Sequence, residues 1–252
     1  YLFLAAMTHK FTFDYKDGDV FWCTTDVGWL TGHSYILYGP LCNGATTLMF
    51  EGVPTYPDAS RFWRVIDKHQ VNQFYTAPTA IRSLMGSGDS FVTSSSRSSL
   101  KLLGTGGEPI NPEAWEWYYN VVGDGRCPVV DTWWQTETGW AIAANPLGLE
   151  HLPVKIGSPS VPVPGYQVDI LDESGARLPA GELGAIAIKL PLPPGTLPGL
   201  WQANDRFAKS YLTTFPGYYE TGDAGYKDED GYLYIMARTD DVINVAGHRL
   251  ST

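Results

Sequence analysis

An acid, two tryptophans, an amide, two hydroxyls and a second acid follow an apolar run in VVDTWWQTETGW, residues 129–140. Asp131 could accept from an exocyclic amine, Thr136 could bond a phosphate oxygen, and Glu137 is a hard oxygen ligand suited to Mg²⁺. Neighbouring rings in extended chain point to opposite sides, so one of Trp133 and Trp134 can line a pocket while the other packs in a core. In LLGTGGEPINP, residues 102–112, glycines follow an apolar strand and precede a proline-started helix, where backbone can approach a flat ligand closely. The same pattern also serves as an ordinary strand-to-helix turn. Glu108 adds a carboxylate at that strand mouth. Asp223 follows a Thr-Gly turn, where one carboxylate can take both hydroxyls of a ribose. Arg238, Asp240 and Arg249 lie in a polar segment whose guanidiniums could serve a phosphate or a solvated surface. His33, in a strand-to-helix passage with Trp29 and Thr31, fits a structural role better than a catalytic one. A Gly-x-Ser-x-Gly elbow, an HExxH pair and paired-carboxylate spacing are all lacking, which argues against a hydrolase.

The elements that must position these groups alternate. DVFWCTT, ATTLMF, VNQFYTA, LKLLGTG and CPVVDTW are nearly continuous apolar runs, the pattern of parallel strands buried on both faces. Between them, Asp58 can cap a helix through RFWRVIDKH, Pro78 can start one through TAIRSLM, and Asn111, Pro112 and Glu113 supply cap, first-turn proline and first-turn acid before AWEWYY. The alternation predicts an α/β fold with a doubly wound, mostly parallel sheet, whose ligands lie beyond the carboxyl ends of the strands. Residues 88–100 read as a solvated serine-rich connection. After residue 148 the texture turns to Gly and Pro punctuation around GYQVDIL, ELGAIAIKL, GYYETGD and GYLYIMA, with a single helix near residues 205–211, so a β-rich subdomain follows. DEDGY reads as its hairpin turn, and PLPPGTLPG as a stiff connector. The expected division is 1–147 for the α/β unit, 148–239 for the β-rich unit, and 240–252 for a hinge leading into a further domain.

Composition bounds the partners. The 252 residues, 44% hydrophobic and 13% aromatic, are enough to bury a real core, which excludes global disorder. Seventeen basic against 27 acidic residues leave a formal charge of −10, without a Lys/Arg run that would mark a nucleic-acid groove or an anionic membrane surface. The opening YLFLAAMTHKF lacks the features of a secretory signal, and nothing approaches the roughly 20 apolar residues of a membrane span. Cys23, Cys42 and Cys127 are too few and scattered for a disulfide scaffold; they are expected as core thiols in a reducing compartment, the cytoplasm or one like the mitochondrial matrix.

GEPINPEAWEW, DTWWQTETG, YYETGD and RTDDVINVAGHR, in that order, resemble the short-chain acyl-CoA synthetases of the adenylate-forming superfamily, over essentially the whole chain. TDVGWLTGHSY and LMFEGVP are similar to acetyl-CoA synthetases, whereas the text from ETGWAIAANPLG through KLPLPPGTLPGLW looks closer to propionyl-CoA synthetases, so acetate and propionate are both open. The resemblance implies a partial adenylate-forming fold whose β-rich part is a distorted barrel. It also implies a two-step reaction using ATP, Mg²⁺ and CoA: a carboxylate attacks the α-phosphate, pyrophosphate leaves, and CoA thiol then displaces AMP from acyl-AMP. By resemblance Gly107, Glu108 and Pro109 wrap the adenine and ribose side, Asp131 meets the adenine amine, and Thr132, Trp133, Trp134, Gln135 and Thr136 line base and phosphate. Glu137 resembles the Mg²⁺ ligand, Asp223 the ribose acid, Arg238 a second ribose contact and Arg249 a guanidinium near the α-phosphate, with Thr136 and Arg249 carrying catalysis. Trp134 ends the acyl pocket, with Leu30, Thr31 and Gly106 on its walls. Thr31, Thr55 and Ala246 fall at CoA-side positions, and Asp240 at a hinge with a conformational role.

Three positions depart from the common acetyl form: Thr55 stands for asparagine, Ala246 for serine, and Gly106 for a valine whose loss should deepen the pocket toward propionate. The family's Gly, Ser and Thr-rich phosphate loop and its catalytic lysine are not in these 252 residues, so the chain alone is expected to have little synthetase activity. The rival expectations are a non-catalytic nucleotide-binding or scaffold module, and an adenylation unit loading a carrier protein; the tryptophan of WWQTETG would obstruct larger substrates in the latter.

Overall fold

The computed structural model describes residues 1–239 in full, together with the backbone of two short strands beyond them. The apolar runs become β1 (Val20–Cys23), β2 (Thr46–Thr47), β3 (Gln73–Thr76), β4 (Leu102–Gly106) and β5 (Val129–Trp133), all parallel; β6 (Ala143–Ala144) and β7 (Val161–Pro162) add antiparallel strands at one edge. The order is β2-β1-β3-β4-β5-β6-β7. The chain thus leaves β1 in one direction and returns on its other side as β3, which creates the switch point where ligands bind in such sheets. The last strand lies past residue 147, so the sheet crosses the expected division.

Alternate side chains explain why both faces are buried. Phe21, Cys23, Tyr75, Leu102 and Val130 enter one core, and Trp22, Phe74, Leu103 and Val129 enter the other. The helical segments are α1 (Leu2–Met7), α2 (Leu30–Gly32), α3 (Gly39–Cys42), α4 (Arg61–His69), α5 (Pro78–Met85), α6 (Ser90–Thr93), α7 (Pro112–Trp117) and α8 (Asn204–Tyr211), with π-helical turns extending α1, α2 and α7. The second core packs against α4, α5 and α7 through Phe62, Ile66, Ile81, Leu84 and Trp115. Pro78 and Pro112 stand at the first turn of α5 and α7, as expected, and Asn111 holds the N-cap position.

The β-rich part supplies β8 (Val168–Leu171), β9 (Gly184–Lys189), β10 (Tyr218–Lys227) and β11 (Leu233–Arg238) in an antiparallel sheet of order β11-β10-β9-β8. Of the distorted barrel expected there, the described residues contribute this four-stranded sheet. DEDGY is the β10–β11 turn, where Asp228 accepts the backbone N–H groups of Asp230 and Tyr232. β12 (Val242–Val245) pairs antiparallel with β13 (His248–Ser251). Among the described residues no helix is long and apolar enough to cross a membrane.

Three local expectations are corrected. Ser60, not Asp58, is the N-cap of α4; Asp58 instead accepts from the Ser60 backbone and hydroxyl, a local turn that delays the helix start. Cys42 is exposed, while Cys23 and Cys127 are buried. The serine-rich segment is not merely solvated: it contains α6, and Arg97 is buried with φ 51°. Its guanidinium donates to the carbonyls of Val92, Ser95, Val121 and Val122, joining the loop to the turn that ends the α7 segment. Replacement by Arg97→Met keeps the aliphatic stem and strips these carbonyls of their donor, so it is expected to lower the unfolding free energy by about 3 kcal/mol. A denaturant-midpoint comparison reads this, and a loss below about 1 kcal/mol would contradict it.

Candidate functional site

The polar groups emerge where β1, β4 and β5 end. Gly107, immediately after β4, has φ 94°, a conformation glycine adopts without strain, and the chain turns there toward Glu108 and Pro109. Glu108 is anchored backward onto α5: it accepts the Thr79 backbone N–H at 2.7 Å, the Thr79 hydroxyl, and the Arg82 guanidinium at 2.8 Å. Partial burial disfavours its charge, but these donors outweigh that effect and hold its carboxyl below the usual range. Asp131 opens on the same hollow from β5. Burial pushes its carboxyl up to about 7, against the Thr132 backbone N–H.

Trp133 and Trp134 both line the hollow and both pack with the same core, so the expected split between pocket and core is not what the structure has. Trp133 is buried and its indole N–H donates to Asp223 Oδ2 at 3.1 Å. Trp134 packs edge-on to Tyr35 at 5.5 Å and donates to the Tyr75 hydroxyl at 3.2 Å. Tyr75 in turn bonds Thr132 Oγ1 at 2.9 Å, and Thr132 donates to the Thr105 carbonyl at 3.0 Å.

Asp223 is brought in by the other sheet. The β9–β10 register shifts between Glu220 and Ala224, so Thr221, Gly222 and Asp223 bulge out of the ladder toward β5. Gly222 has φ 70°, and any side chain there would meet the Arg238 guanidinium, whose Cζ lies 3.0 Å from where a Cβ would stand. Asp223 Oδ2 also accepts Gln135 Nε2 at 2.8 Å, and Oδ1 accepts Arg238 Nη1 at 3.3 Å. Burial pushes the Asp223 carboxyl up, opposed by Arg238, Trp133 and Gln135. Glu137 lies within the Gln135–Thr138 turn and accepts the Tyr211 hydroxyl at 2.9 Å. The described residues hold no cluster of three metal-binding side chains. Mg²⁺, however, commonly takes one or two carboxylates and completes its shell with water and substrate phosphates, so the lone carboxylate of Glu137 at a cleft fits that ion.

These groups surround one hollow of about 520 Å³, within the range of small-ligand sites. It brings together Leu30 and Thr31 from α2, Gly107 to Pro109, Asp131 to Glu137, Asp223 and Arg238; Thr136 is exposed at its rim. Gly106 is not on this lining. A Cβ there would run into Thr132 Oγ1 and stand 2.6 Å from the Tyr75 hydroxyl, so the missing side chain accommodates the Tyr75–Thr132 bond and does not deepen the hollow. Thr55 is exposed outside the lining. Asp240, Ala246 and the side chain of Arg249 lie outside the described residues. Sequence reasoning missed Trp29, Gly157, Pro159 and the stretch Ile235 to Ala237, which also line the hollow. The run of β11 directly before Arg238 was the available signal for the last group, whereas nothing local marks Gly157 and Pro159.

The sequence model of the family described as AMP-binding enzyme matches residues 2–201. An acetyl-coenzyme A synthetase of Alkalilimnicola ehrlichii is 59% identical over all of this chain and 39% of its own length. Acetyl-coenzyme A synthetase 2 of Pseudomonas aeruginosa is 61% identical, again across 100% of this chain and 39% of its own. The chain therefore spans about two fifths of the length of these curated relatives. A crystal structure of a Brucella canis acyl-CoA synthetase superposes with a TM-score of 0.81 at 32% identity, covering 99% of this chain and 44% of that one.

The raised Asp131 carboxyl has a signed consequence. An unfolded aspartate ionises near 4, so from about pH 4 to 7 the folded protein holds a proton that the unfolded chain has lost. The stability this contributes is complete at low pH and fades as pH rises through 7. Asp131→Asn is accordingly expected to lose less stability between pH 6 and pH 8 than the unsubstituted protein in urea titrations; equal losses would mean that the carboxylate is solvated.

Proposed function

This chain belongs to the AMP-binding enzyme family, and from that membership we propose that it forms the nucleotide- and acyl-binding part of an AMP-forming short-chain acyl-CoA synthetase. The observation that carries the reading is the shared hollow: Asp131, Glu137 and Asp223, separated by up to 92 positions in sequence, open on one cavity beyond the tips of β4 and β5. The names of the curated relatives, acetyl-coenzyme A synthetases, support the same chemistry.

In the proposed reaction a carboxylate oxygen of acetate or propionate attacks the α-phosphorus of ATP. The bond to the bridging oxygen breaks, pyrophosphate leaves with its electron pair, and an acyl-adenylate remains. CoA sulfur then attacks the acyl carbon and AMP departs. Catalysis of this kind is mostly positioning and charge neutralisation. Asp131 receives the exocyclic amine of adenine, with Gly107, Glu108 and Pro109 along the base and ribose. Asp223, steadied by Trp133, Gln135 and Arg238, accepts the ribose hydroxyls. Thr136 at the rim and Arg249 bond phosphate oxygens, and Glu137 would hold Mg²⁺, which when bound neutralises phosphate charge. Trp134, fixed by Tyr35 and Tyr75, closes the acyl end near Leu30 and Thr31 and limits the acid to a short chain. Thr31, Thr55 and Ala246 serve the CoA side, and Asp240 the hinge. The free thiols suit a reducing compartment such as the cytoplasm.

Calorimetric titration of the chain with AMP tests the reading. Binding is expected, and Asp223→Ala should weaken it about tenfold or more, the loss of charge-assisted bonds to the ribose. A folded chain that binds neither AMP nor ATP would sink the proposal.

A further inference from the structure

We propose that Tyr211 is a positioning residue for Glu137, and that the stacked pair Tyr211–Tyr219 couples the phosphate end of the cleft to its ribose end. The inference rests on the nucleotide-binding reading above and deepens it.

Helix α8 has no fully buried residue and meets the core through its partly buried last turn, Tyr211 and the adjoining Leu212. Its last residue, Tyr211, lays its ring flat on Tyr219 of β10, with centroids 5.4 Å apart and planes 4° from parallel. Tyr219 is fully buried, which makes it an immobile platform. With its ring so placed, Tyr211 gives its hydroxyl proton to Glu137 Oε1 at 2.9 Å. The Glu137 carbonyl is held as well, by the Leu197 N–H at 2.9 Å. One carboxylate oxygen is thus engaged by a neutral donor, which fixes the orientation of the other without cancelling the charge.

The contacts continue on the far side of the stack. The Tyr219 hydroxyl donates to Gln135 Oε1 at 3.3 Å, and the Gln135 amide donates to Asp223 Oδ2 at 2.8 Å. Glu137, Tyr211, Tyr219, Gln135 and Asp223 therefore form one unbroken series, with a phosphate-end carboxylate at one extremity and a ribose-end carboxylate at the other. A tyrosine serving only to pack would need the ring alone. The hydroxyl has a separate task, presenting a hard oxygen ligand in a single orientation.

Tyr211→Phe removes the donor and keeps the stack, and Tyr211→Ala removes both. Titration calorimetry on the full chain should measure AMP affinity without metal, and ATP affinity with and without Mg²⁺, with circular dichroism checking the fold. Tyr211→Phe is expected to cut the gain in ATP affinity produced by Mg²⁺ by about three- to tenfold while leaving AMP affinity within about twofold. Tyr211→Ala should weaken AMP binding too. An unchanged Mg²⁺ gain in Tyr211→Phe, an equal fall in AMP affinity, or an unsubstituted chain that gains nothing from Mg²⁺ would overturn the inference. Nucleotide binding that is absent altogether would instead overturn the reading on which it rests.

Discussion

Asp223 is gripped from both sheets at once. Trp133 belongs to β5 of the larger sheet and Gln135 follows it, while Arg238 reaches across from β11 of the smaller one. A buried carboxylate without such donors would cost several kcal/mol or give up its charge. The two sheets must therefore stay in register for the acid to remain satisfied, and the cleft exists only where they meet in this way. The β10 bulge and Gly222 serve this contact directly, the first by aiming the carboxylate and the second by making room for the guanidinium.

The occupancy of Asp223 also constrains what it can hold. An ionised carboxylate offers about four acceptor sites, and Trp133, Gln135 and Arg238 take three of them. A ligand offering two hydroxyls must then displace one donor. Arg238, at 3.3 Å and half exposed, is the longest of the three bonds and the one nearest solvent. Asp131 is the opposite case: only the Thr132 backbone N–H opposes the burial that disfavours its charge.

The strands were legible because burial on both faces leaves a run of apolar residues that needs no partner to be recognised, as in β1 and β3. The site segments were legible for a related reason: Asp131 and Trp133 close the strand and Trp134 follows without interruption, although alternation alone did not show that both rings would line the hollow. What could not be read depends on distant chain. Arg97 resembles any arginine in a serine-rich loop until the carbonyls of residues 121 and 122 arrive beside it. Ser60 displaces Asp58 as a cap through a local hydrogen bond that either residue type could have made. The consequence of Gly106 turns on where Tyr75 and Thr132 meet, information carried by two other strands.

The bonds behind Trp134 all run in one direction. Its indole N–H points to Tyr75, the Tyr75 proton must then go to Thr132, and the Thr132 proton goes to the Thr105 carbonyl, where the line ends. Two of these hydrogens are committed to side-chain hydroxyls and the last to a main-chain carbonyl, so each donor of the series is already engaged. A ligand lodged against this wall would meet donors that already serve one another, so the wall offers it a fixed shape and not a free hydrogen.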